Sequence, residues 1–470
     1  MSRMRWPTAK PRIHPERSDE VRAQRAAPNV GARSMVLATG SAAGQKYSTD
    51  EILSAFKEQR RKAGDNDCDF AFAERVFRAC SFDTHSVRLP RESLFRRLDR
   101  AEYLDLRKTC LVDMAAEAAE AALSMWRGDR ATITHLLWGT TTGGIQIPSI
   151  DVRLAKQLGL SSDVERVNVE AMGCCTGFRL LNLGRQLALA SPHARILCVC
   201  GELSIMASNS MPAKVTRKDI IDAALFRDAA SACVLGGGPL REDEHAYFEM
   251  VCGSSRLVPG TEHMIQVQEG TDGSIRMDLA KALPQAVADA APNFCMHLLT
   301  EALALEETLG VCVPSTLDAF DIACHTGGPA VLHGIATSLG VNDEQLFSSW
   351  AVMRAHGNTE GASNLLVLDH LNCTAATAEG SGLGRSWVLC LAMGPGVTLE
   401  GLILKRPEPR NHAASLSAIL WVSKVYTRRI KDQKLSSLGC APAEHRGTSS
   451  AAAEKWSEVL QASFMNELEA

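Results

Sequence analysis

The chain has 470 residues, 50 Lys and Arg against 54 Asp and Glu for a formal net charge of −4, and 46% hydrophobic residues. That is enough chain for a large core or for two similar halves, and the charge balance, with no dominant basic patch, argues against a nucleic-acid binder. The fifteen cysteines are scattered from Cys68 to Cys440 with no CxxC pair and no His and Cys spacing that closes a zinc site, so a reduced, cytoplasmic chain without a structural metal is expected.

Residues 1–30 carry many arginines and no apolar run, which excludes a secretory signal and predicts a disordered arm. From Gly31 short apolar runs alternate with helical periodicity. Ser34–Thr39 reads as a strand, Ser48–Arg61 and Thr109–Trp126 as helices, Thr132–Trp138 as a strand, and Asp151–Leu158 as a helix. Val167–Met172 then reads as a strand, Phe178–Ala190 as a helix, and Ile196–Cys200 and Ala230–Leu235 as strands. From about Ala246 the alternation repeats: helix Ala280–Thr308, strand Asp318–Ala323, helix Pro329–Leu339, strand Leu365–Leu368, and a hairpin of Ser386–Leu391 and Val397–Leu404 joined through Gly394-Pro395-Gly396. Strands apolar on both faces predict an α/β fold whose sheet is covered on both sides, in two similar halves, 31–245 and 246–405. Residues 406–470 change character and read as a tail. No run reaches the roughly 18 to 20 apolar residues that span a bilayer.

Three segments carry chemistry. Val167 to Phe178 is a strand that turns through Gly173 directly into a helix, so Cys174 or Cys175 falls at a helix start, where backbone N–H groups and the macrodipole favour a thiolate. Two buried cysteines in a tight turn are the competing reading. Ile322-Ala323-Cys324-His325-Thr326-Gly327-Gly328-Pro329 places His325 at the C-terminal end of a strand, where α/β folds gather catalytic groups. His356-Gly357-Asn358-Thr359-Glu360 adds the amide of Asn358 before another helical stretch. A nucleophile, a base and a neutral donor, all at turns into helices, suit acyl transfer through a thioester, with His325 and Asn358 as an oxyanion hole.

These residues resemble the type III polyketide synthases, the chalcone and stilbene synthase-like branch of the thiolase superfamily, with the fungal members closest. The resemblance runs from about Gly31 to Leu404. It rests on Gly139-Thr140-Thr141-Thr142-Gly143, Gly173-Cys174, Leu225-Phe226-Arg227-Asp228-Ala229-Ala230 (similar to LFGDGAA), His325-Thr326-Gly327-Gly328-Pro329 (similar to HPGGP), Gly357-Asn358 and Gly394-Pro395-Gly396. It implies a thiolase-like fold, two α/β halves in a layered αβαβα core. It also implies that Cys174 holds the acyl chain, that His325 assists thiolate formation, and that His325 and Asn358 stabilise the enolate left by malonyl decarboxylation. The expected substrates are acyl-CoA and malonyl-CoA, with no cofactor, since decarboxylation generates the carbanion. Phe226 falls at the gate between the coenzyme A tunnel and the cavity; Ser204 and Thr141 also fall on the cavity.

The chain departs from plant members in three cavity positions: Met277 stands for a second phenylalanine, Ala207 for a threonine and Glu360 for a serine. The first two should enlarge or soften the cavity, which predicts a bulky or long aliphatic starter, while Glu360 narrows or polarises the same space. Ile147 replaces the methionine that reaches into a partner's cavity, so a homodimer is implied. Arg78 and Arg88 are the candidate coenzyme A phosphate contacts. Alternative readings are a single-extension ketoacyl synthase of the type III initiating class and a non-catalytic acyl-CoA-binding homologue. The tail's Leu416–Val422 run, followed by basic residues, can lie on a membrane surface, though docking on the protein's own body is preferred.

Overall fold

The structure, a computed structural model, describes residues 32–144, 146–204, 209–269, 275–377 and 384–407. The arm and nearly all of the tail therefore lie outside the described residues, as does Ala207.

In chain order the first half contains β1 (Ser34–Ala43), β2 (Gln45–Tyr47), α1 (Thr49–Lys62), α2 (Phe70–Ala79), β3 (His85–Val87), α3 (Arg100–Trp126), β4 (His135–Thr140), α4 (Ile150–Gln157), β5 (Glu165–Glu170), α5 (Thr176–Ala190), β6 (Arg195–Leu203), α6 (Arg217–Leu225) and β7 (Asp228–Gly237). The second contains β8 (Phe248–Leu257), β9 (Ile265–Glu269), β10 (Ile275–Leu279), α7 (Leu283–Leu303), α8 (Glu306–Leu309), β11 (Phe320–Cys324), α9 (Pro329–Leu339), α10 (Phe347–His356), α11 (Ala362–Thr377), β12 (Trp387–Gly394) and β13 (Thr398–Lys405).

Nine strands form one mixed sheet in the order β11-β12-β13-β8-β1-β7-β6-β4-β5. Its two sides repeat one plan. In the first half β4 and β6 are parallel, β7 runs antiparallel to β6, and β1 is antiparallel to β7. In the second, β11 and β12 are parallel, β13 runs antiparallel to β12, and β8 is antiparallel to β13. The duplication that element order alone suggested is thus present in strand order and sense. The second half lacks a partner equivalent to β5 among the described residues; there the turn before α10 approaches β11, with the Gln345 carbonyl accepting from the Ile322 amide at 2.8 Å. The halves join where Met35 and Val36 of β1 meet Glu249 and Phe248 of β8.

Helices α5 and α11 pack on each other and on strands of both halves, while α3 covers β1 and β7 and α7 covers β8 and β13. The result is the αβαβα layering. Leu365–Leu368, expected as a strand, belongs to α11. Its four apolar residues are buried all round because the helix is the middle layer, and a short run of that kind does not separate helix from strand. The expected helix Ala280–Thr308 is broken into α7 and α8. The hairpin is present, with Gly394 opposite Thr398. Edge strand β5 departs from the doubly covered expectation, with exposed and half-buried positions throughout.

Candidate active site

The nucleophile turn is built from backbone that few residues adopt. After β5, Ala171 has φ 60° and Gly173 φ 58°, and a short 3₁₀ turn over Gly173–Cys175 leads into α5. Ala171 is a strained non-glycine residue of the kind that clusters at functional sites. A Cβ on Gly173 would overlap the Pro395 ring, so the Gly394-Pro395-Gly396 segment clamps this turn from the side of the hairpin. The two cysteines part ways here. Cys175 is fully buried and its Sγ donates to the Met172 carbonyl at 3.1 Å, whereas Cys174 keeps partial exposure.

The turn between α10 and α11 gathers the other groups. Asn358 is buried and forms a parallel bridge with Phe226: its N–H donates to the Leu225 carbonyl at 3.2 Å, and its own carbonyl accepts from the Arg227 amide at 2.8 Å. Its Oδ1 accepts from the Glu360 N–H at 2.9 Å, which leaves the amide NH2 as the free donor. Ser363 Oγ donates to the Glu360 carbonyl at 2.7 Å and lies 2.7 Å from His325 Nδ1. Since that hydroxyl proton is already committed, Nδ1 must be the protonated nitrogen, and Nε2 keeps its lone pair. Asn364 Nδ2 donates to the Cys174 carbonyl at 2.9 Å. The 358–364 segment, the turn and the start of α11, thereby ties Cys174, His325 and Asn358 together.

Electrostatics correct one expectation. Burial, then the negative charge of Glu360, then Cys175 and Glu202 push the Cys174 thiol well above its ordinary value. The helix start does not outweigh them, so the resting group is a thiol and not the expected thiolate. Burial lowers His325 to about 3, against a side-chain hydrogen bond to Asn364 that raises it. Its imidazole is neutral at physiological pH, a form that accepts a proton.

Two carboxyls complete the site. Glu202 is fully buried at the end of β6 and accepts from the N–H groups of Thr141 (3.0 Å) and Thr142 (3.0 Å) and from the hydroxyls of Thr142 (2.7 Å) and Thr140 (3.3 Å). Glu360, with φ 46°, is also buried, and Ser204 Oγ donates to its Oε1 at 2.8 Å. Sequence reasoning noticed Glu360 and missed Glu202, Ser363 and Asn364. The signal for Glu202 was a charge closing the apolar run Ile196–Cys200.

An apolar pocket lies between α6, β10 and α9, lined by Leu225, Met277, Leu279 and Val331 and reaching Gly327, two residues from His325. Met277, expected on the cavity, is on this wall. Lys218 and Lys281 are its cations. Arg78 and Arg88 are not part of it: Arg78 pairs with Asp50 (3.0 Å) and Glu74 (3.3 Å), and Arg88 with Glu117 (2.7 Å). Neither arginine lines this pocket. Ile147 stands 94% exposed.

Comparison with known proteins agrees with this geometry. The chain matches the family model of chalcone and stilbene synthases, N-terminal domain, over residues 96–239, and that of the C-terminal domain over 249–407. It is similar to type III polyketide synthase A of Arabidopsis thaliana, 29% identical over 355 residues that cover 73% of this chain and 86% of that protein. It is also 33% identical over 339 residues to probable polyketide synthase 1 of Dictyostelium discoideum, covering 71% of this chain but only 10% of that much longer protein. Among solved structures it resembles the C-terminal type III polyketide synthase domain of Steely1, a type I/III hybrid from Dictyostelium, with a TM-score of 0.70 and 28% identity, covering 80% of this chain and 99% of that one. Fold, motifs and relatives agree, and the chain belongs to the chalcone and stilbene synthase family, the type III polyketide synthases.

Proposed function

We propose that this polyketide synthase takes an acyl group from coenzyme A onto Cys174, extends it with malonyl-CoA by repeated decarboxylative Claisen condensation, and closes the chain to an alkylpyrone or alkylresorcinol. The observation that carries this reading is the convergence of Cys174, His325 and Asn358 on the 358–364 segment. His325 Nε2 takes the Cys174 proton as the thiol attacks the starter thioester. Decarboxylation of malonyl-CoA then leaves an enolate whose oxygen accepts from Asn358 Nδ2 and from His325, protonated at that stage, and whose carbon attacks the acyl thioester. The pair serves both steps because the imidazole begins neutral.

The pocket beside Met277 receives the pantetheine arm and the apolar part of the starter, with Lys218 and Lys281 as the phosphate contacts in place of Arg78 and Arg88. Lys218 lies 3.1 Å from Asp278, so it is partly neutralised but keeps donors for an anion. Lys218→Ala should raise KM for CoA thioesters more than it lowers kcat, and the KM gap should shrink as salt is raised. A homodimer fits the exposed edge of β5 and the exposed Ile147, which a second subunit would cover. The described cysteines are all free thiols, which fits a cytoplasmic enzyme, and no helix among the described residues is long and apolar enough to cross a membrane. No cofactor enters the proposed chemistry.

The test is product mass analysis with malonyl-CoA and acyl-CoAs ranging from short aromatic to long aliphatic, beside a Cys174→Ala control. Pyrone or resorcinol masses from long aliphatic starters that vanish in the control are expected. A single-extension product would favour a ketoacyl synthase, and no turnover of any starter a binding protein.

A further inference from the structure

The charge that acts most strongly on Cys174 is not the base, His325, but a carboxyl, Glu360. It occupies the hub of the site. Its N–H is held by Asn358 Oδ1, its carbonyl accepts from Ser363, which in turn accepts from His325, and its carboxyl is held by Ser204. A left-handed backbone at φ 46°, uncommon for a residue with a side chain, fixes it there. Nothing in the loading and condensation chemistry uses this carboxyl.

A second carboxyl, Glu202, lies close enough for the two to repel, and two buried carboxyls so placed do not both ionise. Burial and the neighbouring Glu360 charge push Glu202 well above the carboxylate range, so Glu202 keeps its proton. Two backbone N–H groups and two threonine hydroxyls hold Glu202 in place without outweighing that push. Among the described residues Glu360 has the Ser204 hydroxyl. Glu360 is therefore the carboxyl that gains and loses a proton. Burial pushes it up to about 7, so both forms are populated near neutrality. The other titratable groups facing this space are Cys174, Cys200 and His325. The thiols are protonated and the imidazole neutral in the resting enzyme, and all three are poor reservoirs at pH 7. The same two turns also hold two buried hydroxyls with no hydrogen-bond partner, Thr141 Oγ1 and Thr359 Oγ1. Buried polar atoms of that kind mark room for an oxygen-bearing ligand or water.

We infer that Glu360 is a further catalytic residue, the general base and acid that releases the finished chain from Cys174 by attack of an oxygen nucleophile on the thioester. The step balances as follows. The carboxylate of Glu360 takes the proton of an enol hydroxyl of the bound polyketide as that oxygen attacks the thioester carbonyl. The new C–O bond forms, the C–S bond breaks, and the Cys174 sulfur leaves with the electron pair. Glu360, now protonated, returns the proton to the sulfur and restores the resting thiol. No oxidant, reductant or metal takes part. The product is a lactone, so this inference, which rests on the proposed function, selects the pyrone over the resorcinol. Water as the attacking oxygen would give the free acid through the same proton path.

The experiment separates loading from release. Wild type, Glu360→Gln and Glu360→Asp are acylated with a long-chain acyl-CoA, mixed with malonyl-CoA and quenched over time. Intact-protein mass spectrometry follows chains on Cys174, and product mass distinguishes lactone from acid. Glu360→Gln should still acquire starter and extension units on Cys174 but release them ~10²-fold more slowly, the scale of a lost general base. It should also lose the inflection near pH 7 that wild-type release shows, and Glu360→Asp should recover part of the rate. Release by Glu360→Gln at the wild-type rate, or with the same pH profile, overturns the inference. So does a resorcinol as the wild-type product. A wild-type protein that never acylates Cys174 overturns the proposed function and this inference with it, and the wild-type arm alone shows that result.

Discussion

His325→Gln should slow the acylation of Cys174 by about 10²- to 10⁴-fold, the range for removal of a general base. The size follows from the resting state of the nucleophile. Burial and the charge of Glu360 keep Cys174 a thiol, so little attacking thiolate exists unless a base takes the proton during attack. The measurement is the single-turnover rate of acyl transfer from acyl-CoA, followed by intact mass. The pH dependence sharpens it. Because His325 is lowered to about 3, the wild-type rate should carry no histidine limb between pH 5 and 8, unlike a thiolate and imidazolium pair. A His325→Gln protein that acylates within a few-fold of wild type sinks the assignment of the base.

The same histidine carries a stability consequence. Its folded pKa lies below its unfolded value of about 6.5, so as pH falls below 6.5 the unfolded chain binds a proton that the folded one refuses. Wild type therefore loses stability relative to His325→Gln, by about 2 kcal/mol between pH 6.5 and 5, since each pKa unit is worth about 1.4 kcal/mol. Comparing urea midpoints of the two proteins at pH 7 and pH 5 checks this. It also confirms that the variant folds, which the kinetic comparison requires.

How much of this was legible in the sequence depends on what each element is made of. The nucleophile turn, the Gly327-Gly328-Pro329 turn and the closing hairpin are written in glycine and proline, which fix backbone locally, and all three lie where the sequence places them. Leu365–Leu368 was misread because a middle-layer helix has no polar face to reveal its period. Strand β8 and helix α10 went unread because their apolar and polar residues follow neither period cleanly. Within the site, the identities of Cys174, His325 and Asn358 stood out, but their protonation states did not. A helix start suggested a thiolate; the opposing carboxyl, Glu202, sits 158 positions before Glu360 in the chain, and only the fold sets the two side by side. The partners of Arg78 and Arg88 were hidden for a similar reason, since arginine pairing with carboxylates such as Asp50 and Glu117 is a property of the folded surface, not of the local sequence.

Arg195→Met should cost about 3–5 kcal/mol, the scale for stranding one partner of a buried ion pair. Arg195 opens β6 with its guanidinium almost wholly buried, and both donors bind Glu244: Nε to Oε1 and Nη2 to Oε2, each at 2.6 Å. The Trp126 indole N–H at the end of α3 (2.9 Å) and the Arg241 amide (3.0 Å) supply the remaining donors. Burial pushes the Glu244 carboxyl up, but these partners outweigh it and hold the group below its ordinary value. Removing Arg195 leaves a buried carboxylate with two of its four donors gone. Arg195→Met with Glu244→Gln should recover much of the loss, because a neutral amide still accepts from Trp126 and no longer carries an unpaired charge. Equilibrium denaturation of the single and double variants measures the coupling, and a loss under about 1 kcal/mol in Arg195→Met would show that the charge finds another partner. Arg195 and the active site stand at opposite ends of β6, with Glu202 and Ser204 at the far end. A pair that secures only the start of the strand leaves kcat per folded molecule intact while stability falls; a fall in kcat at low temperature would mean that the strand transmits the strain to the Glu202 cradle.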